Sequence, residues 1–216
     1  MKILESKIMK HIELLIDRYP VLKGIEAELI ETYLIMKCCY DKEGKILIAG
    51  NGGSAADSEH IVGELMKSFK ASRRPDSDFV KKMIAVDNEI GRILANNLQG
   101  ALPAIALSGH EALSTACVND CELPLGFAQQ VNGYGKSGDV FWAISTSGNS
   151  KNVLYATVVA KAKGMKIIAL TGEKESELSK MADVCIKVPE KETYMIQELH
   201  LPIYHCLCIM LEETYF

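Results

Sequence analysis

Residues 46–65 read ILIAGNGGSAADSEHIVGEL, and this stretch limits the chain to very few folds. Ile46, Leu47, Ile48 and Ala49 form an apolar run too short for a helix and rich in β-branched side chains, as in a strand buried on both faces of a parallel sheet. Gly50-Asn51-Gly52-Gly53 stops it. Glycine at three of these four positions lets the backbone turn sharply and bring bare N–H groups close to a ligand, and Ser54 is placed to cap the helix that follows. Strand, glycine turn and helix N-terminus together suit an anion. The same turn also serves as a plain strand-to-helix connection in α/β folds. Neither the dinucleotide G-x-G-x-x-G fingerprint nor the P-loop is met, because no Gly-Lys-Ser or Gly-Lys-Thr follows at the required spacing.

In the helix after the turn, His60 and Glu64 stand at i and i+4, one above the other on a single face. That spacing puts an imidazole and a carboxylate on one cation, and it equally describes a solvated surface pair.

Further strand–helix units follow. Residues 103–107 read as the second strand, with a short helix over 111–118 and the polar pair Asn119-Asp120 at its end, where a simple C-terminal turn is the alternative. Residues 139–144, DVFWAI, are the third strand and run directly into Ser145, Thr146, Ser147, Gly148, Asn149 and Ser150, followed by a helix to Lys163. Serine-rich loops are commonly mere solvated turns. Between a buried strand and a helix N-terminus, however, hydroxyls, backbone N–H groups and the helix dipole all favour a phosphate. Residues 165–171 and 184–188 complete a mostly parallel five-stranded sheet covered on both faces. Ligands of such sheets sit outside the carboxyl ends of the strands, where both loops lie.

Helices flank this core in the sequence. Residues 3–42 show helical spacing interrupted at Tyr19-Pro20, and Leu22, Ile25, Leu29, Tyr33 and Met36 mark an amphipathic pair suited to oligomerisation. Residues 68–100 hold helical fragments around 79–84 and 90–97 and read as an ordered excursion, with Phe79, Met83, Ile84, Ile90, Ile93 and Leu94 available for burial. The last stretch, 193–216, carries Gln197, His200 and His205 on an apolar helical pattern. A histidine there is ordinarily a satisfied core residue. Gln197 and His205 are two turns plus about 80° apart and would line one groove only loosely. Pro202 removes a helical donor and should kink or split the helix near Leu201.

A length of 216 residues suits one α/β domain: helices over 1–43, then a core over 44–216 with the insertion at 68–100. A net charge of −4 with scattered basic residues argues against a nucleic-acid partner. No run approaches membrane-span length, and the N-terminus lacks the apolar core of a secretory signal. Seven cysteines without C-x-x-C spacing read as reduced thiols of a cytoplasmic protein. No G-x-S-x-G elbow or nucleophilic cysteine context supports covalent hydrolysis.

Taken together, GNGGSAADSEHIVGEL, AISTSGNSKNVLYA and IQELHLPIYH resemble the sugar isomerase (SIS) domain family, in its phosphoheptose isomerase branch. The resemblance implies conversion of sedoheptulose 7-phosphate into heptose 7-phosphate, an aldose–ketose exchange through an enediol. It also implies a homotetramer with active sites at subunit interfaces. Asn51, Gly52, Gly53, Asn119 and Asp120 would contact the sugar, with Ser54, Glu64 and Gln197 lining the same site. Ser145, Thr146, Ser147 and Ser150 would hold the phosphate. His60, Glu64, Gln197 and His205 would bind zinc, and Glu64 and His205 would exchange protons with the substrate. The 68–100 segment is longer than the family pattern, and Pro202 falls between two of the implied ligands. A non-catalytic SIS protein that senses a phosphosugar or binds a replication initiator is the alternative from another class. An isomerase of a different phosphosugar is the alternative within the same class.

Overall fold

The structure is a computed structural model that describes residues 5–216. The expected N-terminal helical stretch opens at Ile3, and its first two positions lie outside the described residues. Five strands form a wholly parallel sheet in the order β2-β1-β3-β4-β5. They are β1 (Ile46–Ala49), β2 (Ala104–Ala106), β3 (Val140–Ile144), β4 (Lys166–Thr171) and β5 (Val184–Lys187). Every residue of β1 and β3 is buried, which is why both are uninterrupted apolar runs.

Side chains alternate between two cores, as strand geometry requires. On one face Ile46, Ile48, Trp142 and Ile168 pack with α1 (Ser6–Arg18), α2 (Glu26–Tyr40), α3 (Gly53–Met66) and α10 (Thr193–Tyr215). On the other, Leu47, Phe141, Ala143 and Ile167 pack with α7 (Gly126–Tyr134), α8 (Lys151–Ala162) and α9 (Glu177–Met181). Because the chain runs from β1 to β2 on one side and returns to β3 on the other, strand order reverses between β1 and β3. A crevice opens at the carboxyl ends of strands at such a point.

Several local expectations need correction. The break at Tyr19-Pro20 is present, but Leu22 and Ile25 lie in a 3-10 turn over Pro20–Ile25, and α2 starts only at Glu26. The helix α7 has no counterpart in the sequence reading. Pro202 neither ends nor divides α10, which runs unbroken from Thr193 to Tyr215. One missing N–H donor is outweighed by the burial of Ile196, Ile203, Leu207, Cys208, Met210 and Leu211 along the same helix.

The 68–100 segment contains a helical hairpin, α4 (Ser77–Val86) and α5 (Asn88–Asn97), whose N-termini are capped by the Asp76 and Asp87 carboxylates. Its apolar residues are not buried within the chain. Phe79, Ile90, Ile93 and Leu94 are exposed, while Met83 and Ile84 are half-buried. Periodicity defined the apolar faces correctly, but α4 and α5 pack mainly on each other, so little of the protein covers them.

The base of this segment is anchored firmly. Arg73 is fully buried, and its Nε donates to Glu212 Oε1 at 2.8 Å. Its two terminal nitrogens donate to the carbonyls of Leu65 and Glu64, each at 2.7 Å. The Glu212 carboxylate also accepts from the backbone N–H groups of Phe69, Lys70 and Ala71. Burial works against ionisation of Glu212, yet those three N–H donors and Arg73 hold its carboxyl below the ordinary glutamate value. The C-terminal turn of α3, which carries Glu64, is thereby tied to α10.

Candidate active site

The glycine turn after β1 is built on a positive φ of 56° at Gly52, which is the residue preceding α3. Ser54 is therefore not the cap. It lies inside the first turn, buried, with its N–H bonded to the Asn51 carbonyl at 3.0 Å and its own carbonyl accepting from Ser58 Oγ at 2.8 Å. Gly50 lies hard against this turn: a Cβ there would stand 2.5 Å from the Ser54 carbonyl oxygen. Gly50→Ala is accordingly expected to cost about 1–3 kcal/mol through displaced backbone, measured by urea unfolding, and to disorder the loop.

After β3, the second loop is shaped by its own hydrogen bonds. Ser145, buried, stands with Oγ 3.1 Å from Ser150 Oγ, and Ser147 Oγ accepts from the Asn149 N–H at 3.2 Å. Neither α3 nor α8 has an acidic residue in its first turn or a hydrogen bond from its N-cap side chain, and at α8 the neutral Asn152 Oδ1 accepts from the Val153 N–H at 3.0 Å, so no carboxylate of the first turn offsets either positive helix end. The two loops are joined side to side. Asn51 and Asn152 form a reciprocal amide pair, Nδ2 to Oδ1 at 3.0 Å one way and 2.8 Å the other. Asn152 was not singled out from sequence, where it is one polar residue in a helix's first turn.

In the middle of α3, His60 Nε2 lies 3.1 Å from Glu64 Oε1 and 3.4 Å from His205 Nε2 of α10. The two imidazoles meet edge to face, centroids 4.9 Å apart. Glu64 is buried and its Oε2 has no hydrogen-bond partner, the Lys67 ammonium standing 3.9 Å away. Burial and then His60 push the His205 ring below its ordinary value, against the opposing charge of Glu64. Tyr204, almost fully buried, places its hydroxyl 3.0 Å from His60 Nδ1 and 3.2 Å from Asp57 Oδ1.

Zinc with ligands at about 2.0–2.1 Å in a tetrahedron separates its donor atoms by roughly 3.3 Å. The His60–Glu64 and His60–His205 spacings match that edge. Among the described residues, no three His, Cys, Asp or Glu side chains surround one ion-sized point. His60 Nε2 is the atom that the two spacings share. The unpartnered buried Glu64 oxygen and the facing nitrogens are what a cation would satisfy, so the donor set fits a divalent metal.

Gln197 is not in contact with this trio. Its amide lies against Gly53, where a Cβ would come within 2.5 Å of Nε2, at the N-terminus of α3. Asn119 and Asp120 are the last residues of α6 (Glu111–Asp120), exposed and bonded to each other at 2.9 Å. The cleft beside the glycine turn is lined instead by Ser114 and Val118 of that helix, with Asn51, Gly52, Ser108 and Asn152. Thr146 and Ser147 open onto a different cleft, with Gly172 and Lys191. His205 faces a third, between α1 and α10, with His11 and Arg18.

Residues 84–172 match the SIS domain family. Over 177 residues the chain is 38% identical to a phosphoheptose isomerase of Aneurinibacillus thermoaerophilus, covering 82% of this chain and 76% of that protein. The chain belongs to the SIS domain family, in its phosphoheptose isomerase branch. Its fold agrees: the structure of a phosphoheptose isomerase from Neisseria gonorrhoeae superposes with a TM-score of 0.73 at 30% identity, over 96% of this chain and 98% of that one. One from Francisella tularensis gives 0.71 at 30% identity, over 97% and 100%. For a SIS domain of this branch, the crevice between β1 and β3 is where the glycine and serine loops bring both uncapped helix ends together.

Proposed function

We propose that the protein is a phosphosugar isomerase that interconverts sedoheptulose 7-phosphate and D-glycero-D-manno-heptose 7-phosphate. The observation that carries this reading is the convergence of His60, Glu64 and His205, from α3 and α10, in a chain whose glycine and serine loops each end at a helix N-terminus suited to an anion.

The serine loop, with Ser145, Thr146, Ser147 and Ser150 at the start of α8, holds the phosphate through hydroxyls and the helix dipole. Asn51, Gly52 and Gly53, with Ser54 behind them, and Asn119 and Asp120 orient the sugar. Glu64 moves the proton between C1 and C2, and His205 serves the oxygens of the carbonyl and hydroxyl pair. The two Glu64 oxygens are already unequal. Oε1 faces His60 Nε2 while Oε2 has no hydrogen bond, so one oxygen can face the ion while the other takes the proton. A divalent ion, zinc in this reading, would be held by His60, Glu64, Gln197 and His205 and would supply positive charge opposite the enediolate oxygens.

In one chain the loops and the trio face separate clefts, which supports an active site completed by a neighbouring subunit of a homotetramer. The exposed apolar face of the α4–α5 hairpin is a further surface for burial between copies. All seven cysteines are free, which supports a reducing, cytoplasmic setting. Among the described residues no helix is long and apolar enough to cross a membrane.

Ser145→Ala and Ser150→Ala are each expected to raise KM by about 10- to 100-fold, as loss of one hydrogen bond to a charged group predicts. The reading itself is tested by assaying five-, six- and seven-carbon ketose phosphates with the metal content of the same sample measured. Preference for the seven-carbon sugar supports it. Binding of phosphosugars without conversion of any would leave only a phosphosugar-binding scaffold.

A further inference from the structure

We infer that Tyr204, backed by Asp57, is a positioning residue that fixes the hydrogen of His60 on Nδ1 and thereby aims the Nε2 lone pair at the ion site. The inference rests on the metal reading above and assigns a role to residues outside the ligand set.

A tyrosine hydroxyl has one hydrogen to give, and a carboxylate only accepts. Tyr204 therefore donates to Asp57 Oδ1, at 3.2 Å. Its remaining contact, with His60 Nδ1 at 3.0 Å, is then one in which Nδ1–H donates to the hydroxyl oxygen. With Nδ1 occupied by hydrogen, Nε2 is left to take either a proton, which would donate to Glu64, or an ion. The opposite arrangement, with hydrogen on Nε2 alone, keeps His60 as a partner of Glu64 only and gives the metal no lone pair at that position.

The relay is held rigidly. Tyr204 is 1% exposed, and its ring packs edge-on against both His60, at 5.4 Å, and His205, at 5.1 Å. Asp57 lies one helical turn before His60 on the same face of α3. The second oxygen of Asp57 is buried without a partner, so Tyr204 is the group that satisfies this carboxylate. Outer partners that orient a ligating histidine in this way typically govern metal affinity by 10–100-fold.

The test uses the intact protein. Zinc affinity by competition with a chromophoric chelator is expected to fall on the order of 10–100-fold in Tyr204→Phe, which keeps the ring packing. Asp57→Asn, which retains an acceptor oxygen for the hydroxyl, is expected to stay within a few-fold of wild type. Nitrogen-15 NMR of the metal-free wild type, at a pH where the His60 ring is neutral, should show its hydrogen on Nδ1. A Tyr204→Phe variant that binds zinc as tightly as wild type, or a His60 spectrum with hydrogen absent from Nδ1, overturns the relay while leaving the isomerase reading intact. Wild type that takes up no zinc defeats both. Should Tyr204→Phe fail to fold, the wild-type spectrum decides alone.

Discussion

Glu64→Gln is expected to lower turnover by about 10²- to 10⁴-fold, the usual contribution of a positioned general base, with the fold retained. The substitution keeps the size of the side chain and removes the group that shuttles the proton. Thermal stability should not fall, because the wild-type carboxylate is buried with one oxygen unpartnered and a neutral amide is less costly to bury. His205→Ala is expected to lose turnover as well while remaining folded, since His205 is only partly buried. Steady-state kinetics with thermal melts on the same preparations check both. Full activity in either variant would falsify the assigned roles.

The largest effect on stability is expected at Arg73. Removing its side chain leaves the Glu212 carboxylate buried without its cation and takes donors from the Leu65 and Glu64 carbonyls. Breaking a buried pair from one side costs about 3–5 kcal/mol, so Arg73→Ala should shift the urea midpoint strongly, and activity should fall with it because the Glu64 turn loses its anchor. A midpoint equal to wild type would show that the 68–100 segment is held by other contacts. The same latch predicts a pH dependence. Because the folded-state value of Glu212 is lowered, its stabilisation is fully present above the ordinary glutamate range and is lost as pH falls through the depressed value. Acid unfolding of Arg73→Ala should consequently begin at higher pH than that of the wild type.

Much of the sheet was legible because buried parallel strands leave few alternatives: 46–49 and 140–144 are apolar at every position and each ends in a turn. The helix α7 was hidden by its composition. Gln130 is buried there because its amide donates to the Leu107 carbonyl at 2.9 Å, and a polar residue in the core blurs the apolar face that periodicity detects. Pro202 was misjudged for the opposite reason, since a local rule about one hydrogen bond says nothing about the burial of the whole helix around it. The exposed faces of α4 and α5 show the same limit: spacing defines a face, not what covers it.

Within the site, His60 and Glu64 were visible as an i, i+4 pair. The approach of His205 lies 145 positions away in sequence, and only likeness to a family pointed to it. Asp57 sits on the same helical face three residues before His60, so half of the relay had a local signal. Tyr204 had none, being one more apolar-side residue next to a histidine. Ser54 was misplaced as a cap because the positive φ at Gly52 starts the helix two residues earlier than residue preferences suggest.

In the proposed reaction Glu64 and His205 move a proton between neighbouring carbons of a phosphosugar. The most direct measurement is turnover of sedoheptulose 7-phosphate in deuterium oxide, with the product read by NMR. Heptose 7-phosphate is expected to carry deuterium at C2 to the extent that the proton held by Glu64 exchanges with solvent, and both conversion and label are expected to be lost in Glu64→Gln. Sugar bound by the metal-loaded protein but not converted, or product formed as readily in Glu64→Gln as in the wild type, would contradict the proposed reaction.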